Sequence, residues 1–240
     1  MKMAIYEKPM EIILDDSTLF VDGQEREKAV RKVKELKPVL ATKYPEDLVD
    51  TDVYYMYREV CKKNNIRFDI TVIPANPIAD ECPKTHGHYH PKSEDGMAYP
   101  EVYQVLHGKA LFMLQKKKRD RGVDVLMVDA TKGEVVMIPP GYGHNTINSG
   151  SETLVLSNLV YDPIAPMYDE YKRNKGSAYY YMADGSIVQN TNYIIDKNER
   201  IGASALNKRY KFESKDLLTE FMENPEKFVF LEKPGKMFRK

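Results

Sequence analysis

Cysteine is scarce in this chain: Cys61 and Cys82 are the only two among 240 residues, and Cys61 sits beside a charged run. Two thiols cannot build the dense framework of a secreted disulfide scaffold, so both are expected to be free, as in a reducing compartment. Net charge is lacking as well, because 36 Lys and Arg balance 36 Asp and Glu. That balance speaks against a nucleic-acid footprint or a polyanionic surface and points to small-molecule or protein partners. No window approaches the roughly 18 apolar residues that a membrane span needs, and the first residues lack the apolar core of a signal peptide. The expectation is a cytoplasmic protein with no nucleic-acid and no membrane partner. Internal repeats and low-complexity tracts are missing too. The one strong charge run, residues 116–121, precedes Gly122 and reads as a solvated loop between two apolar strands.

What is present suits one large all-β domain or one domain with an appendage. Val30, Val33, Leu36 and Leu40 recur at helical spacing among charged residues, predicting a polar outer helix over about 24–40. Residues 66–73 alternate and stop at Pro74, which is the period of a strand. Five further short runs follow at 101–106, 110–115, 123–128, 135–138 and 153–161, separated by Gly, Pro or charged turns, as in a barrel. Residues 179–182 and 187–189 flank Asp184-Gly185, whose conformational freedom suits a tight hairpin, and one more strand pair is expected to close the β region near 195. Ser214 is expected to cap a helix through Leu217, Leu218, Phe221 and Met222, stopped by Asn224-Pro225. The predicted organisation is a domain over 1–196, with N-terminal strands and a helix, and a basic extension over 197–240.

Three of the five histidines fall in His86-Gly87-His88-Tyr89-His90. On an extended strand residues i and i+2 share a face, so His88 and His90 can present two imidazoles to one point. A metal held there needs ligands from neighbouring strands, and Glu101 and His144 are the candidates. Imidazole with carboxylate suits Fe, Mn, Ni or Zn, and a set with open positions admits substrate or water. Glu94 is the fallback ligand. His86 lies on the same nominal face, but Gly87 invites a bulge that would turn it to the pocket rim. His107, before Gly108, reads as an ordinary exposed histidine.

Gly133, Pro139, Gly141, His144 and Asn148 are spaced as in the second cupin motif, and His88-x-His90 with Glu101 and Gly108 keeps part of the first. The departure is the spacer between His90 and Glu101, residues 91–100, which is longer than in most cupins. Thr85-His86-Gly87-His88-Tyr89-His90, Glu101-Val102-Tyr103, and 136–148 together resemble the cupin-type glucose-6-phosphate isomerases of archaea and some bacteria, a likeness extending over about 50–195. The resemblance implies a cupin β-barrel with a few peripheral helices. It implies reversible conversion of glucose 6-phosphate to fructose 6-phosphate in glycolysis and gluconeogenesis. One divalent ion per subunit is implied, Fe²⁺ first and Mn²⁺, Ni²⁺, Co²⁺ or Zn²⁺ as alternatives, in a homodimer. Carried over residue by residue, His88, His90, Glu101 and His144 are metal ligands. Thr71, Thr85 and Gly87, with Tyr54 nearby, match positions that bind the substrate phosphate, and no Arg clamp is evident. Tyr103 and Tyr161 match pocket tyrosines that contact the sugar, Tyr161 in a catalytic role. A histidine that some members carry is Met167 here, so that group cannot serve ring opening or proton transfer.

In the reading of the residues themselves, the metal polarises the C1 and C2 oxygens while Glu101 carries a proton between the carbons. A direct hydride shift is the rival. Two other functions stay open on the sequence: a non-catalytic cupin that binds a sugar phosphate, and an iron-dependent dioxygenase, which the same ligand set permits.

Overall fold

The computed structural model describes residues 2–118 and 122–239. It opens with a four-stranded meander, β1 (Lys2–Tyr6), β2 (Ile12–Asp15), β3 (Thr18–Val21) and β4 (Gln24–Glu25), paired in chain order. Next come β5 (Ala29–Lys32), α1 (Val33–Leu36) and a 3-10 turn (Lys37–Val39). The helix predicted over 24–40 is thus reduced to a single α turn. Of the four apolar residues that carry the spacing, Val33 and Leu36 are buried and Val30 and Leu40 half-buried, so the spacing marks a real apolar face. Pro38 supplies no amide hydrogen to continue the helix, and residues 29–32 pair with a neighbouring strand instead.

The body of the fold is β6 (Asp52–Lys63), β7 (Ile66–Ile73), β8 (Glu101–His107), β9 (Lys109–Lys117), β10 (Gly122–Thr131), β11 (Val135–Ile138), β12 (Tyr142–Asn148) and β13 (Leu154–Tyr161). Every strand expected between 66 and 161 is present. Of the loop expected over 116–121, Lys116 and Lys117 extend β9, and 119–121 lie outside the described residues. After α2 (Asp169–Arg173), the Asp184-Gly185 hairpin forms as β14 (Tyr179–Tyr181) and β15 (Ile187–Gln189), a two-stranded sheet of its own. The strand pair expected near 195 is a single strand, β16 (Ile194–Gly202), running parallel to β10 along its whole length. Arg200 fixes this edge with two hydrogen bonds to Asp129, at 2.7 and 2.9 Å.

Two sheets face one another as in a cupin: β11-β8-β13-β7-β6-β5 and β12-β9-β10-β16. Strand alternation sorts their side chains into layers. On β9, Ala110, Phe112 and Leu114 point between the sheets against Val105, Ile138 and Leu156, while Leu111 and Met113 face outward against Ala178 and Tyr193 beside the hairpin. The outer face of the larger sheet, with Phe68, Ile70 and Val72, is covered by Ile12 and Leu19 of the meander and by aromatic residues from the end of the chain.

That end is α3 (Ala203–Tyr210), α4 (Leu217–Glu223), a 3-10 segment (Pro225–Leu231) and α5 (Gly235–Phe238). Phe212, Leu217, Leu218, Phe221, Phe228 and Leu231 are buried in the same core as β7, so residues 197–239 are woven into the domain, and a boundary at 196 would cut β16. The cap of α4 is Asp216, which accepts from the Thr219 amide at 2.8 Å, not Ser214. Asp216 directly precedes Leu217, where the first free amides of the helix lie.

Candidate metal centre and its pocket

The period of β7 puts Ile66, Phe68, Ile70 and Val72 into the outer core and turns Arg67, Asp69 and Thr71 to the inner face. On β6 Tyr54, Met56 and Arg58 join them, on β8 Glu101 and Tyr103, and on β13 Asn158 and Val160. These side chains wall a pocket between the sheets of about 640 Å³ including its mouth. β6 is bulged between Tyr57 and Cys61, with Glu59 at φ +53°. Asp69 holds the bulge by accepting from the Glu59 amide at 2.8 Å, and the bulge turns Arg58 toward the pocket.

The opposite wall is the extended segment 83–90, which lies along β12. Thr85 pairs with Thr146 and His88 with His144, so two residues on one side, His86 and Gly87, oppose one on the other, Asn145. The extra residue is absorbed at Gly87, whose φ is +82°, and a Cβ there would lie 2.4 Å from the Tyr171 ring. This is the bulge expected from the sequence, and it leaves His86 at the pocket wall with its ring 4.9 Å from that of Tyr168.

His88, His90, Glu101 and His144 offer four ligand atoms that all lie within 4.8 Å of one another. His88 Nε2 and His90 Nε2 are 3.0 Å apart, and Glu101 Oε2 lies 3.4 Å from His90 Nε2 and 3.1 Å from His144 Nε2. Bonds of about 2.1 Å meeting at right angles separate neighbouring donors by about 3.0 Å, so the spacing fits one small cation. His90 Nδ1 donates to the Tyr99 carbonyl at 2.9 Å, which leaves Nε2 as the lone-pair nitrogen. Glu101 Oε1 accepts from Asn158 Nδ2 at 2.7 Å. Glu101 Oε2 and both His144 nitrogens are buried without an aligned hydrogen bond, a costly state that a cation would relieve at Oε2 and at Nε2, the nitrogen beside it.

The electrostatics agree. Burial, followed by the neighbouring imidazoles of His144 and His90, pushes His88 well below its ordinary pKa. Burial likewise takes His90 down to about 4, against the opposing pull of Glu101. Both are therefore neutral ligands at pH 7. Burial would raise the Glu101 pKa, but the His144 and His90 imidazoles beside it hold it below the usual value, so it is ionised. Tyr103 is held well above its ordinary pKa, by burial first and the Glu101 charge second, and keeps its proton.

Of the residues expected for substrate, Tyr54, Thr71, Thr85, Gly87 and Tyr103 all line this pocket. Tyr161 does not. It follows Val160 on β13 and so points to the other face, where its ring stacks on Tyr99 at 4.5 Å. Met167 pairs through its backbone with Tyr89 and is 52% exposed, while Tyr168 reaches the pocket. Glu94 is exposed in the loop and is no ligand. His107 ends β8, and its side chain is only 22% exposed, 3.8 Å from Glu152.

The sequence reading missed Arg58, Arg67, Asp69, Asn158 and Tyr168, and its absence of arginine is corrected by the first two. Arg67 is committed to Asp69 at 2.9 Å and to Asp162 at 2.6 Å, whereas Arg58 approaches Asp69 only to 3.7 Å. Burial raises the Asp69 pKa in spite of Arg67. The signal was available: three polar residues on one face of an otherwise apolar strand mark a polar cavity.

A model of the family described as glucose-6-phosphate isomerase (GPI) matches residues 30–198. The glucose-6-phosphate isomerase of Pyrococcus abyssi (strain GE5 / Orsay) is 29% identical over 157 residues, covering 63% of this chain and 78% of that protein. That of Thermococcus litoralis is 28% identical over 160 residues, covering 64% and 79%. That of the bacterium Sinorhizobium medicae (strain WSM419) is 29% identical over 113 residues, covering 46% and 49%. Among solved structures, a Lactobacillus farciminis oxalate decarboxylase formate complex overlaps 48% of this chain and 30% of its own, at 20% identity and TM-score 0.36.

Proposed function

The chain belongs to the glucose-6-phosphate isomerase family, and from that premise we propose that its four-donor centre is where glucose 6-phosphate and fructose 6-phosphate are interconverted, a step shared by glycolysis and gluconeogenesis. The observation that carries this reading is the cluster of His88, His90, Glu101 and His144, with their donor atoms within 4.8 Å, in a pocket also walled by Thr71, Thr85 and Tyr54. A divalent ion held there, Fe²⁺ on the family resemblance, would supply Lewis-acid polarisation to the adjacent C1 and C2 oxygens.

The protein groups divide the remaining work. Glu101 is ionised, its Oε1 is fixed by Asn158, and its Oε2, the oxygen that faces the other ligands, would take the C2 proton and return it at C1 on swinging away from the ion. Tyr103, protonated and beside that carboxylate, is a donor for a sugar oxygen. Thr85 Oγ1 accepts from the Thr146 amide at 2.9 Å, so its own hydrogen is available to a phosphate oxygen. Thr71, the Tyr54 hydroxyl and the Gly87 backbone complete the phosphate end. Arg58, loosely held, adds positive charge for an anionic substrate. Tyr161 has no place in this scheme. The working form is a cytoplasmic homodimer, two-fold pairing being the commonest soluble assembly. A light-scattering mass of one 27.7 kDa chain at micromolar concentration would contradict the dimer.

The test is a coupled assay that follows glucose 6-phosphate formed from fructose 6-phosphate, run beside an oxygen electrode. Turnover without oxygen uptake is the expected result. Tight binding without turnover would favour a binding module, and oxygen uptake a dioxygenase.

A further inference from the structure

We propose that the C-terminal segment 232–239 positions the metal ligand His90 by latching the inserted loop 91–100 at Asp95, an inference that rests on the four-donor centre being a metal site. His90 owes its orientation to the hydrogen bond between Nδ1 and the Tyr99 carbonyl, at 2.9 Å. Tyr99 belongs to the loop that separates His90 from Glu101, so the loop's order governs the aim of His90 Nε2.

The loop folds back on itself. The Tyr99 amide donates to the Pro91 carbonyl at 3.1 Å, Lys92 pairs with Ala98, and the Ser93 amide donates to the Met97 carbonyl at 2.7 Å. Asp95 stands at its tip, where Oδ1 accepts from the Ser93 hydroxyl at 2.6 Å. From the far end of the chain, the Gly235 amide donates to Asp95 Oδ2 at 2.8 Å and Arg239 Nη2 to the Asp95 carbonyl at 3.2 Å. A Cβ on Gly235 would sit 2.6 Å from Asp95 Oδ2, so glycine is what lets its amide come this close to the Asp95 carboxylate.

The latching segment is itself anchored. Glu232 accepts from Asn65 Nδ2 at 3.0 Å, and the Phe238 ring packs edge-on against Tyr210 and Phe230. The stack of Tyr99 on Tyr161 pins the base of the loop, which gives Tyr161 a supporting contact in place of a catalytic one. The match to the family model ends at 198, so the latch comes from residues beyond it, while His90 and Glu101 lie within. A loop ordered before the ion arrives removes the ordering cost from the binding step.

The test measures the Kd for Co²⁺ alone, by chelator competition on the full chain, in the native protein and in Asp95→Ala, Gly235→Ala, Asp95→Asn and His144→Ala. Asp95→Ala and Gly235→Ala should each weaken Co²⁺ by about tenfold, the low end of what losing an outer partner of a ligand costs, with the metal-free melting transition unmoved. Asp95→Asn keeps an acceptor oxygen for the Gly235 amide and should stay near the native value. Gly235→Ala serves alone if Asp95→Ala does not fold. Native Co²⁺ affinity in Asp95→Ala and Gly235→Ala beside a weakened His144→Ala would overturn the latch and leave the centre standing. A loss in Asp95→Asn equal to that in Asp95→Ala would also count against it. A native protein that does not bind Co²⁺, or one matched by His144→Ala, would overturn the metal reading and the latch together.

Discussion

Asn158 donates to one carboxylate oxygen of Glu101 at 2.7 Å and leaves the other, Oε2, buried between His90 and His144 with no aligned partner. One oxygen is thereby an anchor and the other a working atom, which is how a single carboxylate can serve both position and proton transfer.

Glu101→Gln separates these roles, because glutamine keeps the shape and one oxygen but does not accept a proton at neutral pH. Turnover should fall by about 10²–10⁴-fold, the usual share of general acid–base catalysis, while metal content changes much less. Substrate deuterated at C2 should lose label to solvent with the native enzyme. Near-normal turnover in the variant, with full retention of label at C1, would favour a hydride shift.

His90→Ala and His144→Ala remove ligands outright. Each should lower metal affinity by more than the roughly 10- to 100-fold that loss of an outer partner costs. Elemental analysis of the purified variants reads this directly, and unchanged metal content in both would refute the ligand set.

Phe228 is fully buried and meets the Phe221 ring edge-on at 5.9 Å in the core behind β7. Phe228→Ala should cost about 3–5 kcal/mol in urea unfolding, since the rigid sheet behind it cannot collapse into the void. A cost under about 1 kcal/mol would mean that the C-terminal helices are not part of the cooperative unit.

Asp162 is held below the usual aspartate pKa, first by its hydrogen bond to Lys62 and then by Arg67. A depressed pKa means that the folded state favours the ionised form. The stability it contributes is present above about pH 4, the unfolded value, and is lost as pH falls through the lower folded one. Asp162→Asn should therefore destabilise by no more than about 1 kcal/mol at pH 7, after allowance for solvent screening, and by less at pH 3. Equal destabilisation at both pH values would show that the charge plays no part.

Much of the site was legible because metal chemistry constrains spacing: His88 and His90 at i and i+2, and His144 inside an ungapped motif, stand where their neighbours in sequence imply. β12 is not legible as a strand, since Tyr-Gly-His-Asn-Thr-Ile-Asn has no apolar alternation and owes its extension to pairing with β9. The helix over 24–40 failed for the opposite reason. Its apolar spacing was real, but Pro38 and the edge of β6 decided the backbone. The resemblance alone points to Tyr161, and only the register of β13 reveals that Val160, not Tyr161, faces the pocket. The latch at Asp95 joins residues 140 apart in the chain, a contact no local pattern encodes.

Initial rates of fructose 6-phosphate conversion, taken before a chelator strips the protein, after stripping, and after Fe²⁺ is returned, decide whether the centre of His88, His90, Glu101 and His144 is the seat of catalysis. Activity should vanish on chelation and return with Fe²⁺, and with Mn²⁺, Ni²⁺ or Co²⁺ to differing extents. Full activity in protein that elemental analysis shows to be metal-free would contradict it.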